Sequence, residues 1–174
     1  MHKHKYLTFH LFAKVVTWFL LPALLISCGF HLRGAYQLPQ EMNSTYVDTS
    51  DDSSDLVRSL KRNLKASGIS ILDKAVDEAA VLKVGNAQKS KRIVSVDSRG
   101  KAREYTLTYS IVFSVSFAQT DFEISEQTIS INRDFLFDTE DVLGNSREEA
   151  QLYTEMQQDA VRLMLLRLQS SAQK

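Results

Sequence analysis

The side chains that carry most protein chemistry are few in this chain, and their places narrow what it can do. It has one Cys, Cys28, and four His, of which His2, His4 and His10 lie before that Cys and only His31 after it. Cys28 closes the string Leu25-Ile26-Ser27-Cys28, behind an apolar run through Val15, Trp18, Phe19, Leu20, Leu21 and Leu24, and behind Lys3, Lys5 and Lys14 with no acidic residue among them. A cationic start, a hydrophobic middle and a small residue before the cut are the order of a secretory signal. The junction itself has the pattern of a lipobox, where a diacylglyceryl group is placed on the thiol and the chain is cut just before it. Residues 1–27 therefore read as a cleaved signal peptide of the lipoprotein type, and Cys28 as the lipidated first residue of the mature protein. A membrane anchor is the competing reading, but the apolar run after Lys14 is shorter than the roughly 20 residues that span a bilayer and contains Pro22.

Lipidation accounts for a lone Cys that would otherwise be a free thiol or an intermolecular disulfide partner. Several acyl chains anchor stably where a single one, at about 0.8 kcal/mol per buried CH₂, is marginal. Position 29 is Gly and not the Asp that retains such proteins at the inner membrane, so the expected place is the outer membrane, lipid-anchored and facing the periplasm.

Cleavage empties the chain of catalytic material. With only His31 left, general acid–base catalysis by His, a Ser/His/Asp triad and a Cys/His zinc site lose their residues. The acidic group Asp48, Asp51, Asp52 and Asp55 lacks the Gly and closing Glu of a calcium loop, and reads as the start of a helix. No Gly-rich phosphate loop is present. The expectation is a protein that is not an enzyme and carries no cofactor. Removing three Lys from balanced totals of 21 basic and 21 acidic residues leaves a mature net charge of −3, which gives no footing for nucleic acid.

Against that acidic body, Lys89, Lys91, Arg92, Arg99, Lys101 and Arg103 gather on one predicted hairpin, opposed locally by Asp97 and Glu104. A basic finger contacts anions. Guanidinium groups grip phosphate bidentately and Lys supplies point charge, which makes phosphorylated lipid a natural ligand at an outer membrane. A solvated hairpin whose Lys residues deter edge-to-edge pairing fits the same residues equally well.

The elements that hold this finger follow from periodicity. Tyr46 and Val47 suggest a first strand. Leu56, Val57, Leu60 and Leu64 recur at helical spacing over residues 54–67, stopped by Gly68. Ile69, Ile71 and Leu72 make a short strand. Leu82, Val84, Val94 and Val96 share an even phase, which predicts one long strand over residues 79–97, turned at Ser98-Arg99-Gly100-Lys101. The returning strand alternates Tyr105, Leu107, Tyr109, Ile111, Phe113, Val115 and Phe117 with Thr106, Thr108, Ser110, Ser114 and Ser116. In the next strand the apolar parity switches between Ile124 and Ile129, which predicts a bulge between Ser125 and Thr128. A last helix is expected from Ser146, with Glu149 closing a capping box, to about Gln169, buried through Leu152, Met156, Ala160, Leu163 and Met164. The predicted fold is α+β, two helices on one face of a four-stranded, mostly antiparallel sheet. The domain plan is a lipidated tether over residues 28–43, one domain over 44–170 and a disordered tail over 171–174.

The string Cys28-Gly29-Phe30-His31-Leu32-Arg33, the helix and strand of residues 56–72 ending Ser67-Gly68-Ile69-Ser70-Ile71-Leu72-Asp73-Lys74, the hairpin of residues 96–105 and the segment Arg133-Asp134-Phe135-Leu136-Phe137-Asp138 together resemble the LPS-assembly lipoprotein family, LptE, also called RlpB. The resemblance implies a lipoprotein that plugs a large outer-membrane β-barrel, LptD, helps it assemble and assists lipopolysaccharide transport to the outer leaflet. It implies two helices on a four-stranded sheet, and lipopolysaccharide contacts near a hairpin loop and near the start of the last helix. The hairpin position falls on Arg99; the second falls on Asn145, where Lys is expected, so that Arg147 is the nearest replacement. The candidate lipopolysaccharide-binding set is thus Arg99, Lys101, Lys91, Arg92, Arg103 and Arg147. The polar row on the sheet suits a hydrated barrel interior as well as open solvent. The alternative is an envelope lipoprotein that binds a soluble anionic ligand, or acts as a scaffold, without a barrel partner.

Overall fold

The computed structural model describes residues 36–172; the signal peptide, Cys28 and His31 lie outside them. After a 3₁₀ turn at Gln40–Met42, the chain forms β1 (Ser44–Thr49), α1 (Asp55–Ala66), β2 (Ser70–Leu72), β3 (Ala80–Val84), β4 (Gln88–Val96), β5 (Ala102–Phe117), β6 (Glu123–Leu136) and α2 (Val142–Ser171).

α1 begins where expected. The Ser54 side chain accepts the Val57 N–H, and Gly68, at φ +87°, supplies the left-handed turn that ends the helix. Leu56, Val57, Leu60 and Leu64 are buried on one side, while Arg58 pairs with Asp55 and Lys61 with Asp52 on the other. Asp51 accepts the N–H and hydroxyl of Ser53. Asp51, Asp52 and Asp55 are therefore spent on starting and bracing a helix, with Ser54 as the cap, while Asp48 lies in β1.

The sheet is mixed and has six strands, two more than the four expected. β1 lies between β2 and β3 and is parallel to both, an arrangement that needs a crossover connection, which α1 provides between β1 and β2. From β3 onward every pairing is antiparallel, and β5 carries β6 along one side and β3 and β4 along the other. The single strand expected over residues 79–97 is interrupted. Val84 faces Phe113 and Gln88 faces Ser110, so the three residues 85–87 stand opposite two of β5. That extra residue reverses the sides. Lys89, Lys91 and Ile93 take the places opposite Tyr109, Leu107 and Tyr105, on the face where Leu82 and Val84 are buried. A second register shift follows at Val94, and Val94 and Val96 are exposed instead of joining the core phase.

The bulge expected in β6 is present. Phe113 faces Gln127 and Val115 faces Ile124, which leaves Ser125 and Glu126 opposite Ser114 and lets Ile124, Ile129 and Ile131 all reach the core. The alternation of β5 holds, with Leu107, Tyr109, Ile111, Phe113 and Val115 buried. On the other face Thr106 donates to Asp134 at 3.0 Å and Thr108 to Asn132 at 2.8 Å, cross-strand pairs that hold the register.

α2 begins four residues earlier than expected. Asp141, not Ser146, is its cap, accepting the Gly144 N–H at 2.8 Å, while the Ser146 hydroxyl turns back to the Val142 carbonyl. The capping-box pattern therefore falls inside the helix. Met156, Ala160, Val161, Met164, Leu165 and Leu168 bury its inner face, and Leu152 and Leu163 flank it half-buried. Arg133 binds Asp159 at 2.7 Å and Arg167 donates to the Thr128 carbonyl at 2.8 Å, tying the helix to β6. The folded part extends slightly beyond both expected limits. Met42 is fully buried before β1, and Ser171 is still helical.

Candidate functional site

The basic hairpin is built by one carboxylate. At the turn between β4 and β5, Asp97 accepts the N–H groups of Arg99 at 2.8 Å and Lys101 at 2.9 Å, and Gly100, at φ +78°, closes the loop. The Arg99 guanidinium reaches the same carboxylate at 3.3 Å. The Lys101 N–H, joined by the backbone and side chain of Arg99 and the charge of Lys101, holds the Asp97 carboxyl below its ordinary range against some desolvation. Arg99 remains 73 % exposed while Asp97 is tucked beneath it, so the cation is oriented without being hidden.

Below the tip a groove of about 650 Å³ is lined by Asp97, Arg99 and Arg103 on the hairpin and by Leu136, Phe137 and Asp138 on the chain leaving β6. The two walls are joined by the Phe137 N–H, which donates to the Arg103 carbonyl at 2.8 Å. Exposed apolar side chains accompany the charge. Ile93, Val94 and Val96 on β4, Leu136 at the end of β6, and Val142 and Leu143 at the start of α2 are all solvent-accessible.

The six predicted site residues do not form one patch. Arg99, Lys101 and Arg103 share the tip, and Arg99 and Arg103 line its groove. Arg92, opposite Thr106, lies on the polar face of the sheet. Lys91 is on the helix side and already engaged. Its Nζ lies 2.6 Å from Glu149 of α2 and over the rings of Tyr105, Phe135 and Phe137, at 4.2, 5.3 and 5.8 Å from their centres. This cation fastens the first turns of α2 to the hairpin's base. Arg147 is exposed and forms no ion pair among the described residues.

Asn145, where a Lys is expected by resemblance, has a different job. It is buried, donates to the Asp138 carbonyl at 2.5 Å and accepts the Asp138 N–H at 3.0 Å, so it holds the link between β6 and α2 against the helix. Buried and bonded to both polar groups of Asp138, this side chain serves the fold. Periodicity missed this clamp because nothing about an isolated Asn distinguishes it. The exposed apolar residues were more readable, since Leu136 breaks the alternation of β6 and Val142 and Leu143 precede the expected helix start. Among the described residues no group of three or more His, Cys, Asp or Glu is placed to hold a metal ion.

Comparison with known proteins agrees with this architecture. The sequence model of the family described as LptE, Lipopolysaccharide-assembly, matches residues 42–168. The LPS-assembly lipoprotein LptE of Photorhabdus laumondii is 29% identical over 157 residues, covering 89% of this chain and 85% of that one. Its counterpart in Pectobacterium atrosepticum is 27% identical over 142 residues, covering 81% and 76%. Among solved structures, the rare lipoprotein B from Shewanella oneidensis superposes with a TM-score of 0.65 at 28% identity, over 75% of this chain and 96% of the other. A lipoprotein B from Nitrosomonas europaea gives 0.64 at 28% identity, over 79% and 88%.

Proposed function

This chain belongs to the LptE family of lipopolysaccharide-assembly proteins, and from that premise we propose how it takes part. Its role is non-enzymatic, in the assembly of lipopolysaccharide at the outer membrane. The finer reading is that Cys28 carries the lipid that holds the protein at the outer membrane, facing the periplasm. The domain then plugs and helps assemble an LptD-type β-barrel, and binds lipopolysaccharide through the hairpin.

One observation carries the ligand assignment: Arg99, Lys101 and Arg103 stand at the same end of the molecule as exposed Val94, Val96 and Leu136. Cations beside uncovered apolar side chains match a ligand that is phosphorylated and acylated at once. The tip trio is the core of the proposed site, with Arg92 and Arg147 as outlying contacts. Lys91 supports it by holding the hairpin's base. The Thr–Asp and Thr–Asn pairs of the polar face suit the hydrated wall of a barrel lumen, which is itself lined by polar groups.

The test is binding of lipopolysaccharide to the full lipidated protein bearing Arg99→Glu together with Lys101→Glu. Loss of about tenfold or more is expected, since each reversal turns an attraction into a repulsion near the groove. Unchanged binding overturns the hairpin assignment. Co-purification of the native protein with a large barrel tests the partner. Recovery as a free monomer from native membranes would favour a scaffold or soluble-ligand lipoprotein instead.

A further inference from the structure

The break between β3 and β4 opens a second cavity, away from the hairpin tip. It encloses about 560 Å³ between the end of β1, the start of α1, the middle of α2 and the helix-facing side of the sheet, within the roughly 300–1,000 Å³ of small-ligand sites. Its floor is Tyr109, which is 1% exposed. None of the hydrogen bonds among the described residues uses the Tyr109 hydroxyl, and no sealed, unpartnered polar atom exists among them. The hydroxyl therefore keeps an open side, and the space Tyr109 borders is this cavity. Burial pushes its pKa up to about 12, so it stays a neutral donor at physiological pH.

Directly opposite Tyr109 in the sheet stands Lys89, which forms no ion pair among the described residues and lies 5.1 Å over the ring of Tyr153. The rest of the lining mixes hydrogen-bonding groups of both kinds. Ser50 donates to the Asn86 side-chain oxygen at 2.7 Å, which leaves the Asn86 amide hydrogens for a ligand, and Gln157 offers a second amide. Val57 and Ile111 supply aliphatic surface. Asp51 at the rim disfavours a second negative charge on whatever enters.

We propose that this cavity binds one acidic sugar unit, with Lys89 taking its carboxylate, Tyr109 donating to it from the floor, and Asn86 and Gln157 meeting its hydroxyls. A single cation beside an acidic rim selects one negative charge. Amides and hydroxyls beside the aliphatic surface of Val57 and Ile111 suit a ring with many hydroxyls and a few C–H faces. The site does not depend on the hairpin tip. Only the idea that its sugar arrives as a glycolipid headgroup rests on the function proposed above.

Saturation-transfer NMR tests this with the full lipidated protein in lauryldimethylamine oxide, a detergent without a sugar headgroup, and glucuronate as the probe. Glucuronate is expected to receive saturation. Tyr109→Phe, which removes only the hydroxyl, and Lys89→Gln should each weaken its binding by about tenfold, the scale of one buried or charge-assisted hydrogen bond. Glucose, lacking the carboxylate, should bind the wild type no better than glucuronate binds Lys89→Gln. Unchanged urea midpoints would show that the variants keep the fold. Absence of saturation transfer, or glucuronate binding indifferent to both substitutions, overturns the site. Displacement of glucuronate by lipopolysaccharide would identify a glycolipid source, and Tyr109-dependent binding without displacement a free sugar acid. If Arg99→Glu with Lys101→Glu leaves lipopolysaccharide binding intact while glucuronate still requires Tyr109, the hairpin assignment fails and this site stands.

Discussion

β3 and β4 lie end to end along the same edge of β5, yet one is core and the other is surface. Ala80, Leu82 and Val84 of β3 are buried, whereas every residue of β4 except the half-buried Ser95 is exposed. Both pair with β5, but β3 has β1 on its other side whereas β4 is an edge strand. Cover and the extra residue at the break add to that difference. Beside β3 the helices close over the sheet, and aliphatic side chains fill the helix-facing places. Past residues 85–87 those places fall to Lys89 and Lys91, whose charged ends lie over aromatic rings, that of Lys91 also reaching Glu149. An edge of charged residues also resists pairing with a stray strand.

The largest effect that would break or sharpen this contrast is a pair of truncations. Leu82→Ala should cost about 2–5 kcal/mol in urea denaturation, because the side chain is fully buried and the cavity it leaves cannot collapse. Val94→Ala, in the exposed strand, should stay within about 0.5 kcal/mol. Similar losses at both positions would mean that β4 is covered after all, and the contrast would fall.

Lys91 tests the middle ground, a β4 residue that behaves as part of the body. Lys91→Met keeps an unbranched side chain over Tyr105 and Phe137 but removes the charge that Glu149 and the rings hold. A loss of about 1–2 kcal/mol is expected, near the upper range for a partly desolvated cation over aromatic rings. In a double-mutant cycle with Glu149→Gln, a coupling of about 0.5–1 kcal/mol should appear, discounted because both partners are 29% exposed. Zero coupling would show that the salt bridge adds nothing to the fastening of α2.

These two regions also differ in how far they could be read from the chain. The buried half was legible wherever a local rule sufficed: Ser54 and Gly68 bounded α1, the alternation of β5 named its core face, and the parity switch after Ile124 located the bulge of β6. β1 and β2 were legible as short strands, but their parallel pairing into the same sheet was hidden, because it depends on a crossover and leaves no periodic mark on so few residues. The break at residues 85–87 was hidden for another reason. Polar Lys89 and Lys91 occupy the core-side places, so the even phase of Leu82 and Val84 resumed at Val94 and Val96 as if nothing had intervened. At the candidate site the charges were visible and their partners were not. Lys91 looked as available as Arg99, but its partner Glu149 is 58 residues away, on a helix whose own start was misplaced by a false capping box.

The smallest effect lies at the tip, where Asp97 organises the most exposed part of the exposed region. Its carboxyl is held below the ordinary value of 3.8, chiefly by the Lys101 N–H. A group whose folded pKa is depressed contributes order that is complete above its unfolded value and is lost as pH falls through the folded one. The Arg99 and Lys101 amide signals should therefore titrate together in an NMR series, with a midpoint below 3.8, while the signals of β3 stay still. Asp97→Asn should abolish that midpoint and loosen the turn with no measurable change in the urea midpoint of the whole domain, since the tip contributes little to the core. It should also free the Arg99 guanidinium from its internal partner. If the hairpin acts by presenting an oriented cation, lipopolysaccharide binding weakens in this variant although a negative charge has been removed. If it acts by net charge alone, binding strengthens, and the direction of the change distinguishes a built site from a merely basic one.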